Sequence, residues 1–527
     1  MRITFAALLF LHATAALADG HFRILQLNDV YKIEGLENGS VGGMARIRTE
    51  RLRLEADGTP VLLLHAGDAL FPSVMSKYLA ARPVTRLMNM LDGDAGAFDR
   101  RMVATLGNHE LEKADPLYTL GRLAESDFRW VASNVHYCSG GNCNQTFADR
   151  VATAADTLIV DGGNVPVGIF GLTIYSGESD YFRIDHKDEN ARWAVVRASI
   201  DSLKARGARV IVALTHQDFV DDVAMAEKFP EIDLVVGGHD HQYIQQTIGR
   251  CVIAKGDADA RSVIAWDVRV PDSGPPVVKA ERVMLDATVP KDAAVDAEVQ
   301  RWTANLARIL GPNDEIGRTQ NLLEGVEPAV RGRETALGNF LADVARDWMK
   351  TDVGLVNGGS IRINDNIPPG PVRKYDMEGV FYYGNPLVAF NVTGAQLREL
   401  LNDAVQRVNV GDGRFLQVGG VKFRYTGGPP YEVTDVQVMR RGSTTYAPVD
   451  PKATYSVSTL QYIYDNGGNE GFPLLANGPS KPKLIAPVDA AKNDFRKATE
   501  ATIAALPNRT ITTAVEGRIT AIQSPPR

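Results

Sequence analysis

Polar side chains that can bind metal ions follow apolar runs at five places in the first half of the chain. The apolar runs are rich in Val, Leu and Ile, as expected for buried strands. Carboxylate, amide and imidazole groups that converge on one rim can hold two divalent cations roughly 3.5–4 Å apart, an arrangement that serves hydrolysis. The five motifs are Leu27-Asn28-Asp29-Val30-Tyr31, His65-Ala66-Gly67-Asp68, Gly107-Asn108-His109-Glu110, Leu214-Thr215-His216 and Gly237-Gly238-His239-Asp240-His241.

A single aspartate or histidine at the end of a strand is usually a turn residue or a helix cap. Five such motifs in succession favour a shared metal site over coincidence. Strand-like and helix-like segments alternate around them, which predicts an α/β domain with ligands at the carboxyl ends of its strands. We expect strands at residues 24–27, 61–64, 102–106, 131–133, 167–172, 210–214 and 234–236, and helices that include 44–54 and 191–205.

Length and charge limit the kind of protein. The chain has 527 residues, too many for one hydrophobic core, so we expect two domains. Hydrophobic residues make up 44% and charged residues 23%, which is typical of globular proteins. The formal net charge is −7 and no long basic run occurs, which argues against a nucleic acid polymer or an anionic membrane as partner.

The first 18 residues have the pattern of a signal peptide. Met1-Arg2 supplies a positive start, an apolar stretch follows, and Ala16-Leu17-Ala18 is a small-x-small cleavage site before Asp19. A membrane anchor is the alternative, but the apolar stretch is short for a span. We therefore expect no stable membrane insertion and a periplasmic or secreted protein.

The chain has three cysteines. Cys138 and Cys143 bracket a short loop with two glycines and are predicted to form a disulfide in an oxidising compartment, with two free thiols as the alternative. Cys251 lies in a strand-like run and is predicted to be a buried thiol.

An amphipathic helix is predicted between the two domains, because apolar residues recur at helical spacing from Val295 to Leu310 before Gly311-Pro312 ends the pattern. We place the signal peptide at 1–18, the first domain at 19–290, the linking helix and linker at 291–328, and the second domain at 329–527.

These motifs resemble two known signatures. Asp29, Gly67-Asp68, Gly107-Asn108-His109-Glu110, His216 and Gly238-His239-x-His241 resemble those of calcineurin-like metallophosphoesterases. The second half is similar to the C-terminal domain of periplasmic and ecto-5′-nucleotidases at Arg333-Glu334-x-x-x-Gly338-Asn339, Asn357-Gly358-Gly359-Ser360-Ile361-Arg362, Tyr383-Gly384-Asn385 and Asn466-Gly467-Gly468. The resemblance implies an N-terminal four-layer α/β/β/α metallophosphoesterase sandwich, joined by a helix to an α+β substrate-binding domain.

The resemblance also implies two divalent metal ions, with Mn, Zn, Co and Mg as candidates. Asp29, Asp68 and His241 would contact one ion. Asp68, Asn108, His216 and His239 would contact the other, so Asp68 would bridge the pair. A hydroxide that bridges the ions would then attack the phosphoester.

Two further positions of the first domain bear on catalysis. His109 matches the catalytic histidine of the family, and Glu112 stands where the family has an aspartate paired with it. Glu112 either orients His109 or is an exposed helix charge. Tyr31 replaces a histidine ligand, and a phenol binds Zn²⁺ or Mg²⁺ poorly but Fe³⁺ well. We expect Tyr31 to weaken the first metal site, with a ferric ion or substrate contact as the alternative.

The resemblance places substrate contacts in the second domain. Arg333 and Arg362 match phosphate- or substrate-binding arginines, whose guanidinium forks suit phosphate oxygens, and ion pairs within the domain are the alternative. Asn357 matches a base-contacting position, and Tyr383 stands where a phenylalanine stacks on the base.

The second stacking position of the family is Ile463 in this chain, flanked by Tyr462 and Tyr464. Asn469-Glu470 also replaces the aspartate that follows the two glycines, which points to a phosphoester range broader than adenosine nucleotides.

These implied features predict hydrolysis of nucleoside 5′-monophosphates to nucleoside and phosphate. Enzymatic alternatives are a 2′,3′-cyclic nucleotide phosphodiesterase with 3′-nucleotidase activity and a nucleotide-sugar hydrolase. The alternative from another class is a nucleotide-binding protein that captures solute without turnover.

Overall fold

Two β-sheets face each other in the first half of the chain, in a computed structural model that describes residues 19–94, 96–112, 115–174 and 180–522. The first sheet has seven strands in the order Val277–Met284, Ser262–Val270, Gly20–Leu27, Val61–His65, Met102–Thr105, Arg129–Val131 and Ala154–Ala155. The second has six, in the order Ile244–Ile248, Cys251–Lys255, Leu234–Gly237, Val210–His216, Pro166–Thr173 and Thr157–Asp161.

The inner faces of these sheets form one apolar core. Phe22, Leu62 and Val103 of the first sheet share it with Ile169 and Val212 of the second, and all five are fully buried. Because the central strands are covered on both faces, they are apolar along their whole length. The sequence signal for these strands is therefore a continuous apolar run.

Helices cover the outer faces of both sheets. The first sheet carries Met44–Glu55, Val74–Leu79, Arg82–Met88, Leu117–Ala124 and Ala293–Leu310, and the second carries Glu189–Ala205 and Phe219–Lys228. Asp292 caps the helix Ala293–Leu310 by accepting the backbone N–H groups of Ala294 and Val295. The resulting α/β/β/α order confirms the predicted sandwich.

A small sheet on this domain contains the strands Phe182–Ile184, Val135–Ser139 and Asn142–Thr146. Cys138 and Cys143 form a disulfide across its hairpin, and Cys251 is a buried free thiol.

The second half of the chain is α+β. One sheet has the order Leu387–Thr393, Thr454–Leu460, Val353–Asn357 and Leu416–Gly419, and another has Ala447–Pro448, Val433–Val438, Val421–Thr426 and Ile519–Ile522. Its helices are Glu327–Val330, Ala336–Met349, Lys374–Val380, Gly394–Val405, Gln461–Asn466 and Phe495–Ala505. Two smaller sheets contain Gly370–Arg373, Glu315–Thr319 and Thr510–Ile511, and Leu323–Glu324 with Asn366–Ile367.

The second unit begins before the predicted boundary at residue 329. The strand Glu315–Thr319 lies within the segment predicted as linker, 291–328, but it pairs with Gly370–Arg373 and Thr510–Ile511. These partner strands are distant in the chain, so local sequence patterns do not reveal the pairing.

Short 3₁₀ turns connect several elements, at His109–Leu111, Ala258–Ala260, Gly358–Ser360, Val408–Val410, Pro473–Leu475 and Pro507–Arg509. The predicted signal peptide, residues 1–18, lies outside the described residues. Among the residues described, no helix combines the length and the apolar character needed to cross a membrane.

Candidate metal centre and adjoining cleft

The predicted metal ligands come together where the two facing sheets end. Asp29, Asp68 and Asn108 lie in the loops after the strands Gly20–Leu27, Val61–His65 and Met102–Thr105 of the first sheet. His216 ends the strand Val210–His216, and His239 and His241 follow Leu234–Gly237 in the second sheet. Because these strands run parallel within each sheet, their carboxyl ends meet at one rim.

Several of these residues have backbone angles in the left-handed region. The φ values are +52° at Asp29, +54° at Asp68, +81° at His239 and +58° at His241. Non-glycine residues rarely adopt this region, and it concentrates at functional sites. Gly107 allows Asp68 to approach, because a Cβ atom at residue 107 would lie 2.1 Å from Asp68 Oδ1.

Asp29, Asp68 and His216 form a buried group whose ligand atoms all lie within 4.8 Å of one another. His216 Nε2 lies 3.1 Å from Asp68 Oδ2 and 3.2 Å from Asn108 Oδ1. His216 Nδ1 lies 2.8 Å from the carbonyl oxygen of Ala66. That carbonyl can only accept, so Nδ1 carries the proton and Nε2 is the ligand atom toward a cation.

The two histidines of the Gly-His-Asp-His motif point to different sides of the group. His241 Nε2 lies 3.1 Å from Asp29 Oδ1. The His239 ring lies edge-on to that of His216, with 5.1 Å between ring centroids, and its Nε2 is 3.4 Å from Asp218 Oδ1. One loop thus presents imidazole groups on both sides of the buried carboxylates.

The Tyr31 hydroxyl lies among the ligands predicted for the first metal. It is 3.1 Å from Asp29 Oδ1, 3.3 Å from Asp68 Oδ2 and 3.2 Å from His241 Nε2. Burial and the nearby carboxylates of Asp68 and Asp29 raise the pKa of Tyr31 well above its usual value. The side chain is therefore a neutral phenol in this structure.

Charge in the buried group is balanced by protonated histidines. Burial opposes protonation of His216, but the carboxylates of Asp68 and Asp29 outweigh it and raise the pKa of His216 to about 9. For His241, Glu327 and Asp29 outweigh burial and raise the pKa to about 10. The imidazole groups of His216 and His241, which bind protons this readily here, can also bind cations. A cation that binds displaces the proton.

Two buried side chains whose roles the sequence analysis did not predict hold this rim together. The Glu110 carboxylate accepts the backbone N–H groups of Gly107, Asp68, Ala69 and Leu70, and so joins two ligand loops. The signal available was only its position beside His109.

Lys255 is the other buried side chain. It is fully buried, and its Nζ donates to the carbonyl oxygens of Gln217 and Gly238 and contacts the carboxylates of Asp222 and Asp240. It thereby anchors the loop that carries His239 and His241. No local pattern around Lys255 indicates this role.

His109 connects the first domain to the second. Its backbone N–H donates to Asp68 Oδ1 at 2.9 Å, and its Nδ1 lies 2.8 Å from Glu112 Oε2. Arg362 Nη2 lies 3.2 Å from His109 Nε2, and the Tyr383 hydroxyl donates to Glu112 Oε2 at 3.2 Å. Glu112 thus contacts the histidine, as one of its two predicted alternatives requires.

Of the two arginines predicted from the sequence, Arg362 lies near this rim and Arg333 does not. A cavity of about 480 Å³ next to Asp68 and His109 is lined by Arg331, Arg362 and Arg407. Arg333 is absent from this lining, and its largely exposed guanidinium pairs with Glu324 at 2.5 Å. The turn that follows the helix Glu327–Val330 directs Arg331 rather than Arg333 toward this cavity.

A second cavity of about 930 Å³ lies beside the first and shares Gly413 with it. Its lining includes Glu112, Asn357, Tyr383 and Tyr462. The Oδ1 atom of Asn357 is buried without a hydrogen-bond partner, whereas its Nδ2 donates to the carbonyl oxygen of Gly413. The cavity therefore offers aromatic faces, and an unpaired amide oxygen is buried in its wall.

Tyr462, next to the position that corresponds to the second stacking aromatic of the family, faces the cavity, whereas Ile463 does not. Ile463 is only 2% exposed and packs in the core, and Tyr464 packs against Phe390. Tyr462 is 48% exposed, lines the cavity and donates its hydroxyl to Glu470 at 2.5 Å. The helix Gln461–Asn466 turns residue 462 toward the cavity and 463 into the core.

Two family models match the chain and together include most of it. The calcineurin-like phosphoesterase model matches residues 22–243, and the model of the 5′-nucleotidase C-terminal domain matches residues 315–477. The chain belongs to the 5′-nucleotidase family. It is accordingly a hydrolase of the phosphoesterase type.

Three similar proteins match the chain over most of its length. The snake venom 5′-nucleotidase of Naja atra is 27% identical over 87% of this chain and 92% of its own. The 5′-nucleotidase precursor of Thermus thermophilus is similar in structure, with a TM-score of 0.77, 22% identity and coverage of 96% of this chain and 100% of its own. A sulfate thiohydrolase from the same organism, with a TM-score of 0.69, 15% identity and coverage of 95% and 97%, has the same fold.

Proposed function

We propose that this chain is an exported, metal-dependent phosphomonoesterase that hydrolyses nucleoside 5′-monophosphates to nucleoside and phosphate. One observation carries the proposal. The cavity with the metal ligands and arginines adjoins the cavity with Asn357, Tyr383 and Tyr462, and both include Gly413. A phosphate in the first and a base in the second would belong to one ligand.

The residues of the rim fit divalent cations. Buried carboxylates, an amide oxygen and imidazoles are ligands that first-row divalent metals and Mg²⁺ accept. Metal ions bound there would lower the pKa of a water molecule and offset phosphate charge. The ligands we assign to them are Asp29, Asp68, Asn108, His216, His239 and His241.

We assign His109 the role of protonating the leaving group. Arg362 can only donate, so its contact with Nε2 makes that nitrogen the acceptor and leaves the proton on Nδ1, facing Glu112. A phosphate that engages Arg362 would free Nε2 to hold a proton next to the leaving alkoxide. Glu112 would then stabilise the imidazolium from the other side.

Phosphate binding is assigned to the arginines of the second domain. Arg362 is almost fully buried, and its guanidinium faces both His109 and Glu327. Arg331 is partly buried and pairs with the same glutamate at 2.7 Å. Guanidinium groups in this setting can exchange a carboxylate for phosphate oxygens of similar geometry.

The substrate base is assigned to the second cavity. Tyr383 and Tyr462 present aromatic faces, and the free Oδ1 atom of Asn357 can accept one hydrogen bond. A protein named as a sulfate thiohydrolase has the same fold, so the fold alone does not select nucleotides. The preference for nucleotides therefore depends on this cavity.

The test is phosphate release from a substrate panel with Mn²⁺, Zn²⁺, Co²⁺ or Mg²⁺ added to chelator-treated protein. The panel contains nucleoside 5′- and 3′-monophosphates, 2′,3′-cyclic nucleotides, a nucleotide sugar and an aryl phosphate. We expect the highest kcat/KM with 5′-monophosphates, and none with Asp68→Ala. A preference for the cyclic or sugar substrates would replace the proposed substrate, and nucleotide binding without turnover would contradict the enzymatic role.

Export is tested separately by expressing the full chain in a bacterium and fractionating the cells. We expect the mature protein outside the cytoplasm with Asp19 at its N-terminus. Full-length protein retained in the cytoplasm would contradict it.

A further inference from the structure

Glu327 is a buried carboxylate of the second unit that contacts the metal rim of the first. It begins the short helix Glu327–Val330 and is 5% exposed. One oxygen pairs with Arg331 at 2.7 Å and with Arg362 at 2.8 Å. The other lies 2.9 Å from His241 Nδ1. The carboxylate of Glu327 thus contacts both a predicted metal ligand, His241, and two arginines that line the cavity next to Asp68 and His109. We call this cavity the phosphate cavity.

Glu327 contacts His241 at the ring nitrogen that faces away from the carboxylates of the metal rim. His241 Nε2 faces Asp29, whereas Nδ1 faces Glu327 at ion-pair distance, off the direction of a linear hydrogen bond. A carboxylate at the outer nitrogen of a ligating histidine holds the ring orientation and makes the inner nitrogen a better ligand. Here that carboxylate is supplied across the domain boundary.

The backbone of Glu327 is held by a second connection to the same rim. Its N–H donates to Asn364 Oδ1 at 3.1 Å, and Asn364 Nδ2 donates to Asp259 Oδ2 at 3.1 Å. Asp259 in turn accepts the backbone N–H groups of Tyr31 and Lys32 at 2.8 and 2.9 Å. The position of Glu327 is therefore set relative to the ligand loops and not only within its own domain.

The charges on Glu327 explain why it is tolerated in a buried position. A buried carboxylate is costly unless it is paired. Two guanidinium groups and the imidazole of His241 surround this one, and they hold its pKa well below the usual value despite burial. Removing the charge of Glu327 would leave the guanidinium groups of Arg331 and Arg362 without their shared carboxylate partner.

We propose that Glu327 is a positioning residue that makes the metal affinity of the first domain depend on the second domain. The carboxylate holds His241 in its ligating orientation and, at the same time, holds Arg331 and Arg362 at the phosphate cavity. The metal site is then complete only when the two domains adopt this arrangement. This inference rests on the proposed function for the identity of the metal and phosphate sites.

The test is the affinity of the full-length, chelator-treated protein for Mn²⁺ and Zn²⁺, measured by competition with a chromogenic chelator. We expect Glu327→Gln to weaken binding of the His241-dependent ion by roughly 10- to 100-fold, the range for partners of ligating histidines. Added metal should restore kcat toward that of the wild type, and KM for a nucleotide should stay raised because the arginines lose their partner.

Glu324→Gln is the matched control. Glu324 lies three residues earlier and pairs with the largely exposed Arg333, away from the cavity. We expect its metal affinity to equal that of the wild type. A purely structural effect of Glu327→Gln would lower the melting temperature of the metal-free protein without changing the metal dissociation constant, and that result would overturn the inference.

Glu327→Asp covers the case in which Glu327→Gln does not fold. It keeps the charge but is one methylene shorter, so we expect a smaller loss of metal affinity and rescue by added metal. Metal affinity equal to the wild type in this variant, or a wild type that binds no divalent metal, would overturn the inference. A wild type that binds metal but hydrolyses no phosphoester would refute the proposed function alone.

Discussion

At the scale of single residues, Tyr31 stands at the metal rim where the resembled signature has a histidine. Its hydroxyl lies within 3.3 Å of Asp29, Asp68 and His241, the three ligands predicted for the first ion. The buried group of Asp29, Asp68 and His216 has its ligand atoms close enough together to be a candidate site for one cation. We therefore expect one ion to bind tightly and the other weakly.

Tyr31→His should strengthen the weaker site, because an imidazole nitrogen replaces a neutral phenol. We expect affinity for the ion at this first site to rise roughly tenfold or more, the scale on which ligand surroundings change metal binding. Metal content by elemental analysis and activity at limiting metal would report it. Two tight ions in the wild type and unchanged affinity in the variant would contradict it. A coloured protein that bleaches on this substitution would instead indicate a ferric ion bound by Tyr31.

His109→Asn should separate catalysis from metal binding. His109 contacts Glu112 and Arg362 through its ring, and only its backbone N–H reaches Asp68 closely. We expect metal content to stay unchanged and kcat to fall by roughly 10²- to 10⁴-fold, as for loss of a general acid. Loss of bound metal in this variant would make His109 a ligand instead.

At the scale of elements, the ligands lie on loops whose shape is set by buried charges. Lys255, on the strand Cys251–Lys255, reaches beneath the Gly-His-Asp-His loop and pairs with Asp222 of the helix Phe219–Lys228 at 3.0 Å. Glu110 accepts backbone N–H groups from the loops after two strands of the first sheet and so holds these loops together. The φ values above zero at Asp29, Asp68, His239 and His241 are held in place by such contacts.

Lys255→Met should destabilise the fold, because two carboxylates, Asp222 and Asp240, lose their buried cation. Breaking a buried pair from one side costs about 3–5 kcal/mol. Urea unfolding of the metal-free protein would measure this loss. Lys255→Met combined with Asp222→Asn should recover part of it, and an unchanged midpoint in Lys255→Met would contradict the anchoring role.

Asp403, on the helix Gly394–Val405, should make stability depend on pH. Burial, together with the charge of Glu399, raises its pKa to about 6. The folded state then binds a proton more tightly than the unfolded state, so stability present below about pH 4 is lost as the pH rises through about 6.

Asp403→Asn should therefore raise the melting temperature at pH 7 relative to the wild type but not at pH 4. The gain is on the order of 1 kcal/mol, because the group is partly exposed and its interactions are screened. Glu399→Gln should give a smaller gain in the same pH range. An equal effect of Asp403→Asn at both pH values would show that its charge is not the cause.

At the scale of the whole molecule, the two domains supply different ends of one cleft. The first contributes the metal rim and His109, and the second contributes the arginines and the aromatic cavity. The contacts of His109 with Arg362, Glu112 with Tyr383 and His241 with Glu327 all cross between them. We expect substrate to be bound only when both domains are in place.

Tyr462→Ala should distinguish the two ends of the cleft. Stacking of a base on an aromatic ring contributes about 1–3 kcal/mol, so kcat/KM for a nucleotide should fall by roughly 5- to 150-fold. Hydrolysis of a small aryl phosphate should stay unchanged. Arg362→Ala should impair both substrates, since its guanidinium lies beside His109. Equal losses with both substrates in Tyr462→Ala would remove base recognition from this cavity.

The sequence by itself indicated two domains and an α/β unit with polar side chains at its strand ends, and the family resemblance implied the sandwich and the ligand set around Asp68. The reason is that fully buried parallel strands read as apolar runs, and a ligand must follow such a run directly to reach the rim. This spacing involves residues that are close together in the chain, so it can be recognised in the sequence alone. The same holds for His109 and Glu112, which lie three residues apart and contact each other.

Only the tertiary structure decided which side chains of the second domain face the first. Arg331 rather than Arg333 lines one cavity and Tyr462 rather than Ile463 lines the other, because a step of one or two residues along the backbone changes the direction of the side chain. Glu327, 86 residues after His241 in the chain, meets it only through domain packing. Such contacts depend on long-range geometry, and a single sequence carries no periodic signal for them.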